Sequence, residues 1–238
     1  MSRPVSSRQT GVHPDLARLL ARRRACAYRK PIHPASAAAF ASADQFYREC
    51  NQPVVLDAGC GTGASSYLLA EQHPDAIIVA VDKSAHRLAR RRGKQHQRVM
   101  HIRADLIDFW RLAAASGWQL QHHYLLYPSP WPKPEHLARR WHGHPVLPWL
   151  LALGGMLELR CNWQVYAEEF AAALTLLLQR PISAIRLDDP GEPLSPFERK
   201  YAASGHVLYC CQAQIRAGER TRWLQETNQL VPGNQPQP

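Results

Sequence analysis

The sequence predicts an α/β fold with a mostly parallel sheet and helices on both faces. Two features of the chain predict it. Short apolar runs typical of buried strands alternate with longer segments of helical character, which is the pattern of β-α-β units. An aspartate also follows each of the first three apolar runs within two residues. Because parallel strands end at one edge of a sheet, these three carboxylates are expected to lie at the same edge.

The individual elements follow from the length and composition of each segment. The strand-like segments are residues 54–56, 76–81, 99–103, 118–127, 156–160 and 206–215. The helix-like segments are residues 14–20, 35–50, 64–72, 84–92 and 146–153. Pro14 favours the first helix, because proline is tolerated at an early helical position. The last strand is expected to run antiparallel, as is common in such sheets.

Composition divides the 238 residues into three parts. Residues 1–34 are rich in arginine and proline, and we expect a basic N-terminal arm that is partly disordered. Residues 35–226 form the predicted α/β domain, which is long enough for a sizeable core. Residues 227–238 are polar and rich in proline and glutamine, and they predict a flexible C-terminal tail.

The chain is strongly basic, with 29 Lys and Arg against 19 Asp and Glu and a formal net charge of +10. The basic residues come in runs that include residues 22–24, 29–30, 90–92 and 139–140. Clustered positive charge favours a polyanionic partner such as nucleic acid. The alternative is a set of solvated helix faces with no partner.

The sequence favours a cytoplasmic setting. It has no apolar run of about 18 residues, as a transmembrane helix would need, and its first residues are polar rather than those of a signal segment. None of its six cysteines forms a C-x-x-C pair, so neither a zinc site nor a thioredoxin-type redox site is indicated. We therefore expect a reduced cytoplasmic protein without a membrane or metal partner. The oligomeric state stays open.

A glycine-rich turn follows the first strand. Gly59, Gly61 and Gly63 come after Asp57 in the run Asp-Ala-Gly-Cys-Gly-Thr-Gly-Ala. Glycines let the chain turn sharply and let a ligand approach the backbone. The spacing Gly59-x-Gly61-x-x-Ala64 also fits a dinucleotide fingerprint. The glycines alone therefore predict a nucleotide-type cofactor without selecting one.

The aspartates help to select the cofactor. Asp57 is placed to accept a hydrogen bond from an ammonium group or to order the loop through water. Asp82 is placed to bind two ribose hydroxyls, and Asp105 is placed to meet an adenine amino group. Each acid alone could be a helix cap or a turn residue. Three at successive strand ends favour S-adenosylmethionine, which lacks the pyrophosphate that a helix N-terminus binds in dinucleotides.

The most specific motif follows the fourth strand. It reads Tyr-Pro-Ser-Pro-Trp-Pro-Lys-Pro-Glu-His-Leu-Ala-Arg-Arg over residues 127–140. Two weaker motifs follow, Asn-Trp-Gln-Val-Tyr-Ala over residues 162–167 and Ser-Pro-Phe-Glu over residues 195–198. In order and rough spacing, over about residues 53–212, the chain resembles a divergent member of the tRNA (guanine-N7)-methyltransferase family.

The resemblance implies a Rossmann-like class I methyltransferase fold with seven strands, S-adenosylmethionine as cofactor and RNA, above all tRNA, as partner. It also implies roles for individual residues. The implied catalytic residues are Ser129, His136, Arg139, Asn162 and Glu198. The implied substrate contacts are Trp131, Lys133, Arg140 and Ser195, and Tyr127 joins the implied cofactor contacts.

Three positions depart from the family motifs. Ser129 and Asn162 stand where the family has aspartates, and Ser195 stands where it has threonine. Methyl transfer to guanine N7 uses a lone pair and removes no proton, so alignment supplies most of the catalysis, up to about 7–11 kcal/mol. The lost carboxylates are therefore expected to weaken recognition of the base more than the chemical step, because neutral groups form weaker hydrogen bonds than ions.

Other functions stay open on the sequence alone. The first is a non-catalytic RNA-binding or partner subunit on the same fold, which the changes at Ser129 and Asn162 would permit. The second is a methyltransferase for a small molecule, in which the basic arm serves another purpose. A dehydrogenase with the same glycine loop is the least favoured hypothesis.

Overall fold

A computed structural model describes residues 2–25, 28–90, 96–188 and 191–220. The strands are β1 (Val54–Ala58), β2 (Ile77–Asp82), β3 (Val99–Arg103), β4 (His122–Leu126), β5 (Gly155–Cys161), β6 (Ala184–Leu187) and β7 (Leu208–Ile215). The α-helices are α1 (Leu16–Ala25), α2 (Pro34–Cys50), α3 (Ala64–Gln72), α4 (Ala85–Ala89), α5 (Leu106–Ala115), α6 (Leu147–Ala152), α7 (Gln164–Leu178), α8 (Pro196–Ala203) and α9 (Ala217–Arg220). A 3₁₀-helix over Pro134–Arg139 precedes α6.

The described strands form one sheet in the order β3-β2-β1-β4-β5-β7-β6. β7 is antiparallel to both of its neighbours, and the other neighbouring pairs are parallel. The chain runs outward from β1 through β2 to β3 and then returns to β4 on the other side of β1. This reversal opens a crevice at the carboxyl ends of β1 and β4, where α/β sheets bind ligands. The expected seven-stranded Rossmann-like fold is confirmed.

Large side chains fix the centre of the sheet. Every residue of β1 and β2 is buried, as expected for parallel strands covered on both faces. On one face Phe109 and Trp110 of α5 and Phe170 of α7 have no exposed surface. Burying a side chain of this kind contributes about 1.5–3 kcal/mol. The loops at the strand ends are thus anchored on a rigid base.

The described part of the N-terminal arm packs on the domain. α1 buries Leu16 and Leu20 in the main core. Ahead of this helix, Gln9 Nε2 donates to a carboxylate oxygen of Glu169 in α7 at 2.6 Å, and the Ser7 hydroxyl donates to the carbonyl of Pro132. These contacts join the arm to the motif segment, residues 127–140.

The predicted elements are confirmed with identifiable differences. β4 begins later than the predicted segment, because Trp118 N still donates to Ala113 O in the turn that ends α5. The sequence pattern missed β6, a four-residue edge strand that is only partly covered. It also missed α5, α8 and α9. A further helix that it missed, α7, is apolar on most sides and therefore lacks amphipathic periodicity.

Parts of two predictions fall outside the described residues. The basic helix predicted over residues 84–92 is described as far as Arg90 and is helical over Ala85–Ala89. The tail predicted over residues 227–238 is not described. Within the described ranges, no helix combines the length and the apolar character needed to cross a membrane.

Candidate active site

The glycine-rich loop lies between β1 and α3 at the carboxyl edge of the sheet. Gly59, Gly61 and Gly63 have φ angles of +87°, +60° and +74°, a region that other residues rarely adopt. The amides of Gly59 and Cys60 donate to the carbonyl of Val81 at 2.8 and 3.1 Å. The backbone alone therefore ties the loop to the end of β2.

The three glycines differ in their surroundings. A Cβ atom at Gly59 or Gly61 would make only an ordinary van der Waals contact, at 3.9 or 4.0 Å, so packing does not require glycine at either position. A Cβ atom at Gly63 would lie 2.3 Å from His101 Nε2. Gly63 is therefore required by packing against β3 and by its place as the N-cap of α3.

Asp57 orders the loop from inside the protein. Its Oδ2 accepts hydrogen bonds from the hydroxyls of Ser65 and Ser66 at 2.6 and 2.7 Å, and its side chain is almost fully buried. Burial raises the pKa of Asp57, and the two hydroxyls partly oppose this rise. Of the two roles predicted for Asp57, binding of an ammonium group and ordering of the loop, the geometry fits the second. Asp57 orders the loop through direct contacts to serines at the start of α3.

Asp82 connects the loop to α4 at the end of β2. Its Oδ2 accepts from the Gly61 amide at 3.0 Å, and its Oδ1 accepts from the Ser84 amide at 2.7 Å. The guanidinium of Arg87 lies 3.3 Å from Oδ2. A carboxylate offers about four acceptor positions. Three donors therefore leave about one position for a ligand hydroxyl while Arg87 stays in place.

Asp105 caps α5 and lines a cavity. Its Oδ1 accepts from the Ile107 amide at 2.9 Å, as an N-cap residue does. The cavity has a volume of about 660 Å³, and the residues that line it include Lys30, His33, Lys83, Arg103, Ala104 and Asp108. The Oδ1 of Asp108 is buried there, and no group in the described part of the chain hydrogen-bonds to it. The space lies at the ends of β2 and β3, where the sequence predicts an adenine.

The motif segment leaves β4 through two strained positions. Tyr127 and Trp131 have φ angles of +54° and +46°, which cost of order 1–3 kcal/mol each outside glycine. Trp131 is 37% exposed. The guanidinium of Arg139 lies 4.9 Å from the centre of an indole ring of Trp131, and the His136 ring meets it edge-on at 5.5 Å. The segment thus presents an exposed aromatic ring beside a positive charge.

Arg140 holds this segment from inside. Its side chain has no exposed surface and forms an ion pair with Glu169. Nε and Nη2 donate to the carbonyl of Trp131 at 3.2 and 3.1 Å, and Nη2 also donates to the carbonyl of Lys133 at 3.1 Å. The sequence predicts Arg140 as a substrate contact, but the structure places its N–H groups on protein acceptors beneath the segment.

Glu158, Arg160 and Glu198 form a charged triad. Arg160 Nε donates to Glu158 at 2.6 Å, and its Nη1 donates to Glu198 Oε1 at 2.8 Å. The Ser195 hydroxyl accepts from the Glu198 amide at 3.1 Å and caps α8, so this predicted substrate contact is a buried helix cap.

Burial and the Glu198 carboxylate raise the pKa of Tyr127. Glu198 Oε2 and Tyr127 Oη are buried without hydrogen-bond partners among the described residues.

Asn162 is oriented by a histidine. His206 Nε2 lies 3.1 Å from the carbonyl oxygen of Ser2, which can only accept, so in the neutral ring Nε2 carries the proton and Nδ1 accepts. The amide nitrogen of Asn162 lies 3.0 Å from His206 Nδ1 and donates to it. The side-chain oxygen of Asn162 is thereby held on the far side of the amide as a neutral acceptor.

Comparison with known proteins identifies the family. A family model described as "Putative methyltransferase" matches residues 51–211. A tRNA (guanine-N(7)-)-methyltransferase of Syntrophotalea carbinolica is 32% identical over 170 residues, which cover 66% of this chain and 72% of that protein. The chain belongs to the tRNA (guanine-N7)-methyltransferase family.

Further similarities agree with this membership. A tRNA (guanine-N(7)-)-methyltransferase of Leifsonia xyli subsp. xyli is 28% identical over 174 residues, covering 66% of this chain and 74% of that protein. The solved structure of an antibiotic-related methyltransferase covers 72% of this chain and 94% of its own, with a TM-score of 0.52 and 15% identity. That likeness supports the fold. The chain is thus a methyltransferase with a Rossmann-like fold.

The family motifs are linked through Tyr127 and Tyr201. The two rings meet at 5.4 Å, and Tyr201 stacks at 5.2 Å on His206, the partner of Asn162. Ser129 and Lys133 are exposed on the motif segment. Trp141 is half-buried against Trp110 and His144, so it packs inside the domain.

Four residues of this candidate site were not predicted from the sequence, namely Arg87, Arg160, Glu169 and His206. Each acts on a predicted residue rather than on the crevice itself. Only Arg160 had a local signal, as one of two charged residues in the mostly apolar strand β5. Glu169 had none, because its partner Gln9 is 160 positions away in the chain.

Proposed function

We propose that this enzyme transfers the methyl group of S-adenosylmethionine to N7 of a guanine in tRNA, in the cytoplasm. Family membership supports the reaction type. The observation that carries the proposal is the exposed ring of Trp131, which buried Arg140 fixes at the end of β4. β4 is the neighbour of β1, so the ring and the glycine loop follow adjacent strand ends.

The residues of the carboxyl edge fit the cofactor. The glycine backbone at Gly59 and Gly61 suits its amino-acid end, and the cavity beside Asp105 is large enough for an adenine ring. Asp82 has room for one ribose hydroxyl, and it accepts both once Arg87 leaves. When bound, this cofactor supplies an electrophilic methyl group on a positively charged sulfur.

The chain contributes alignment rather than proton transfer. Guanine N7 attacks with a lone pair, so no residue needs to act as a base, and the groups around the crevice must hold the base in line. Glu198 suits this role because its Oε2 is buried and unpaired while Arg160 neutralises its other oxygen. We assign Glu198 Oε2 to the N1–H and amino group of guanine. The Tyr127 hydroxyl interacts with the same carboxylate and is assigned to orient it toward the base.

Neutral groups complete the recognition of the base. The side-chain oxygen of Asn162 faces away from His206 and is assigned as a further acceptor for guanine. Ser129 is exposed on the motif segment and contributes a hydroxyl. These groups replace carboxylates of the family, so we expect weaker binding of guanine and an unchanged need for in-line geometry. His136 supports the edge of the Trp131 ring.

Contacts to RNA are assigned to the exposed face of the motif segment. Trp131 offers a stacking surface to a base, since unpaired RNA bases stack on aromatic side chains. Arg139 lies against that ring, and Lys133 is exposed two residues after it. Both carry charges suited to phosphate groups. Arg140 and Ser195, which are buried, are reassigned to positioning of the segment and of α8.

Incubation of the full chain with radiolabelled S-adenosylmethionine and unmodified tRNA tests the proposal. Nucleoside analysis is expected to place the label in 7-methylguanosine. Trp131→Leu is expected to reduce the yield at low tRNA concentration, whereas Leu176→Ala, which removes an exposed side chain on α7, serves as the matched control. Absence of label from all RNA, in protein that binds the cofactor by calorimetry, would refute the proposal.

The alternatives have distinct outcomes in the same experiment. Salt-sensitive tRNA binding without label would favour a non-catalytic RNA-binding subunit. Label in a low-molecular-weight fraction would favour a small-molecule substrate. Calorimetry that detects no heat with S-adenosylmethionine or its demethylated product would refute the cofactor assignment itself.

A further inference from the structure

An aromatic column on α8 ends at an exposed ring. Phe197 is 46% exposed. Among the Phe, Tyr and Trp residues of the described ranges, only Phe197 and Trp131 are exposed, and the others are buried or half-buried. The ring of Phe197 is stacked with Tyr201 at a centroid distance of 6.2 Å and an interplanar angle of 25°. Tyr201 is in turn stacked with His206 at 5.2 Å and 22°. Phe197 is therefore the outer end of a series of three rings.

The start of α8 fixes Phe197 in this exposed position. Pro196 occupies the first turn and Ser195 caps the helix. Glu198, which follows Phe197, is fully buried and forms an ion pair with Arg160. Consecutive helix residues are about 100° apart around the axis, and the rotation of α8 that buries Glu198 leaves Phe197 on an exposed side. The contact that holds Glu198 therefore also fixes the direction of Phe197.

The surroundings of the column are cationic. Arg199 and Lys200 follow Glu198 on α8, and both are exposed. The ammonium of Lys200 lies 5.8 Å from the centre of the Tyr201 ring. The negative charge of Glu198 is buried and paired with Arg160. An exposed ring flanked by positive charges suits a base whose phosphates carry negative charge.

We propose that Phe197 forms a stacking subsite for an unpaired RNA base that neighbours the methylated guanine. The proposal rests on the proposed function, since it assigns Glu198 to the target guanine and the next nucleotide to the ring beside it. Tyr201 also touches Tyr127 at 5.4 Å, so the column reaches the motif segment that receives the target. The substrate is therefore a tRNA region in which at least two adjacent bases are unstacked.

Steady-state kinetics on the full chain test this subsite. Phe197→Leu keeps apolar volume without a ring, and it is expected to raise KM for tRNA about tenfold, a typical value for one stacked base. The kcat value and KM for S-adenosylmethionine are expected to stay within about twofold. Phe197→Tyr keeps the ring and is expected to retain KM. Leu176→Ala is the matched control, and thermal unfolding checks that each variant folds.

A modified substrate separates base stacking from other effects. Removing the base on either side of the target guanine in a synthetic tRNA is expected to raise KM for the wild-type enzyme at one of these positions. At that position Phe197→Leu should cause no additional increase. An unchanged KM for Phe197→Leu, or an increase that persists on both abasic substrates, would overturn the proposal.

Direct binding distinguishes failure of the subsite from failure of the proposed function. Fluorescence anisotropy with labelled tRNA requires no turnover. Weaker binding by Phe197→Leu than by Leu176→Ala, in a protein that methylates no tRNA, would retain the subsite and reject the reaction. Equal binding by the two variants, with methylation intact, would retain the reaction and reject the subsite.

Discussion

Arg140 and Glu169 form an ion pair in which neither side chain is exposed to solvent. Glu169 also accepts from Gln9, His13 and His142, so about four acceptor positions are filled. Burial alone would raise the pKa of Glu169, but His142 and Arg140 hold it at about 2. Burial lowers the pKa of His142, so at neutral pH Arg140 supplies the charge and His142 a neutral donor.

Glu169→Gln tests this pair. The substitution leaves Arg140 buried without a counter-charge and is expected to lower the free energy of unfolding by about 3 kcal/mol. Because Arg140 holds the carbonyl of Trp131, KM for tRNA should also rise. Urea denaturation and kinetics measure the two effects. Glu168→Gln, which alters the adjacent residue bonded to Gln164, should change stability by less than about 0.5 kcal/mol; equal effects of the two variants would reject the role of Glu169.

The glycine loop allows a comparison between two substitutions at positive φ. Gly63→Ala places a Cβ 2.3 Å from His101 and is expected to destabilise the protein by more than the 1–3 kcal/mol of backbone strain. Gly61→Ala has the same positive φ but would make only a van der Waals contact with Arg87 at 4.0 Å, so its main effect should be on cofactor affinity. Thermal unfolding and calorimetry with S-adenosylhomocysteine measure both. Equal losses of stability would contradict the packing role of Gly63.

Asp82 is expected to control cofactor affinity in part through the loop. Asp82→Asn removes an acceptor from the amide of Gly61 or of Ser84, and the loss of a charge-assisted hydrogen bond predicts about 10- to 100-fold weaker binding. Arg87→Ala removes the competing cation and should leave affinity unchanged or increase it. Calorimetry with S-adenosylhomocysteine compares the two. Weaker binding by Arg87→Ala would show that Arg87 supports the site instead.

Two histidines, His123, which is buried, and His144, which is half-buried, predict loss of stability in acid. Burial lowers the pKa of His123 to about 3 and that of His144 to about 4, whereas the value in an unfolded chain is about 6.5. The unfolded state therefore binds more protons below pH 6.5, and stability present above that pH falls as the pH approaches 4. Between pH 6.5 and its pKa in the folded protein, each histidine lowers the folding equilibrium constant by up to about tenfold for each pH unit of acidification.

Urea denaturation between pH 7.5 and 4.5 measures this dependence. His144→Asn keeps an acceptor for the Val146 amide and should reduce the slope of stability against pH. His86→Gln alters an exposed histidine and is the control. The same slope in wild type and His144→Asn would contradict the assignment to His144.

Asn162→Asp restores the carboxylate of the family and tests the orientation of His206. An aspartate oxygen would face the acceptor Nδ1, so a neutral His206 ring must move its proton to Nδ1 and lose its bond to Ser2. We expect a loss of about 0.5–1.5 kcal/mol at pH 8, measured by denaturation. Nitrogen NMR of the imidazole should report the tautomer. Greater stability of the variant with the wild-type tautomer retained would reject this account.

The sequence determined the fold and the position of the glycine-rich loop. Apolar runs over residues 54–56, 76–81 and 99–103 coincide with β1, β2 and β3 within two residues at each end. The glycines and the aspartates that follow these strands lie at one edge of the sheet. This information is local, because strand burial and glycine turns depend on consecutive residues.

The tertiary structure decided which charged residues face a ligand. Arg139 and Arg140 are adjacent in sequence, yet one lies on Trp131 at the surface and the other is buried on Glu169. The difference comes from contacts with α7 and with Gln9, which lies 131 positions from Arg140. A buried charge is stable only where distant segments supply its partners, and the order of residues along the chain does not contain that information locally.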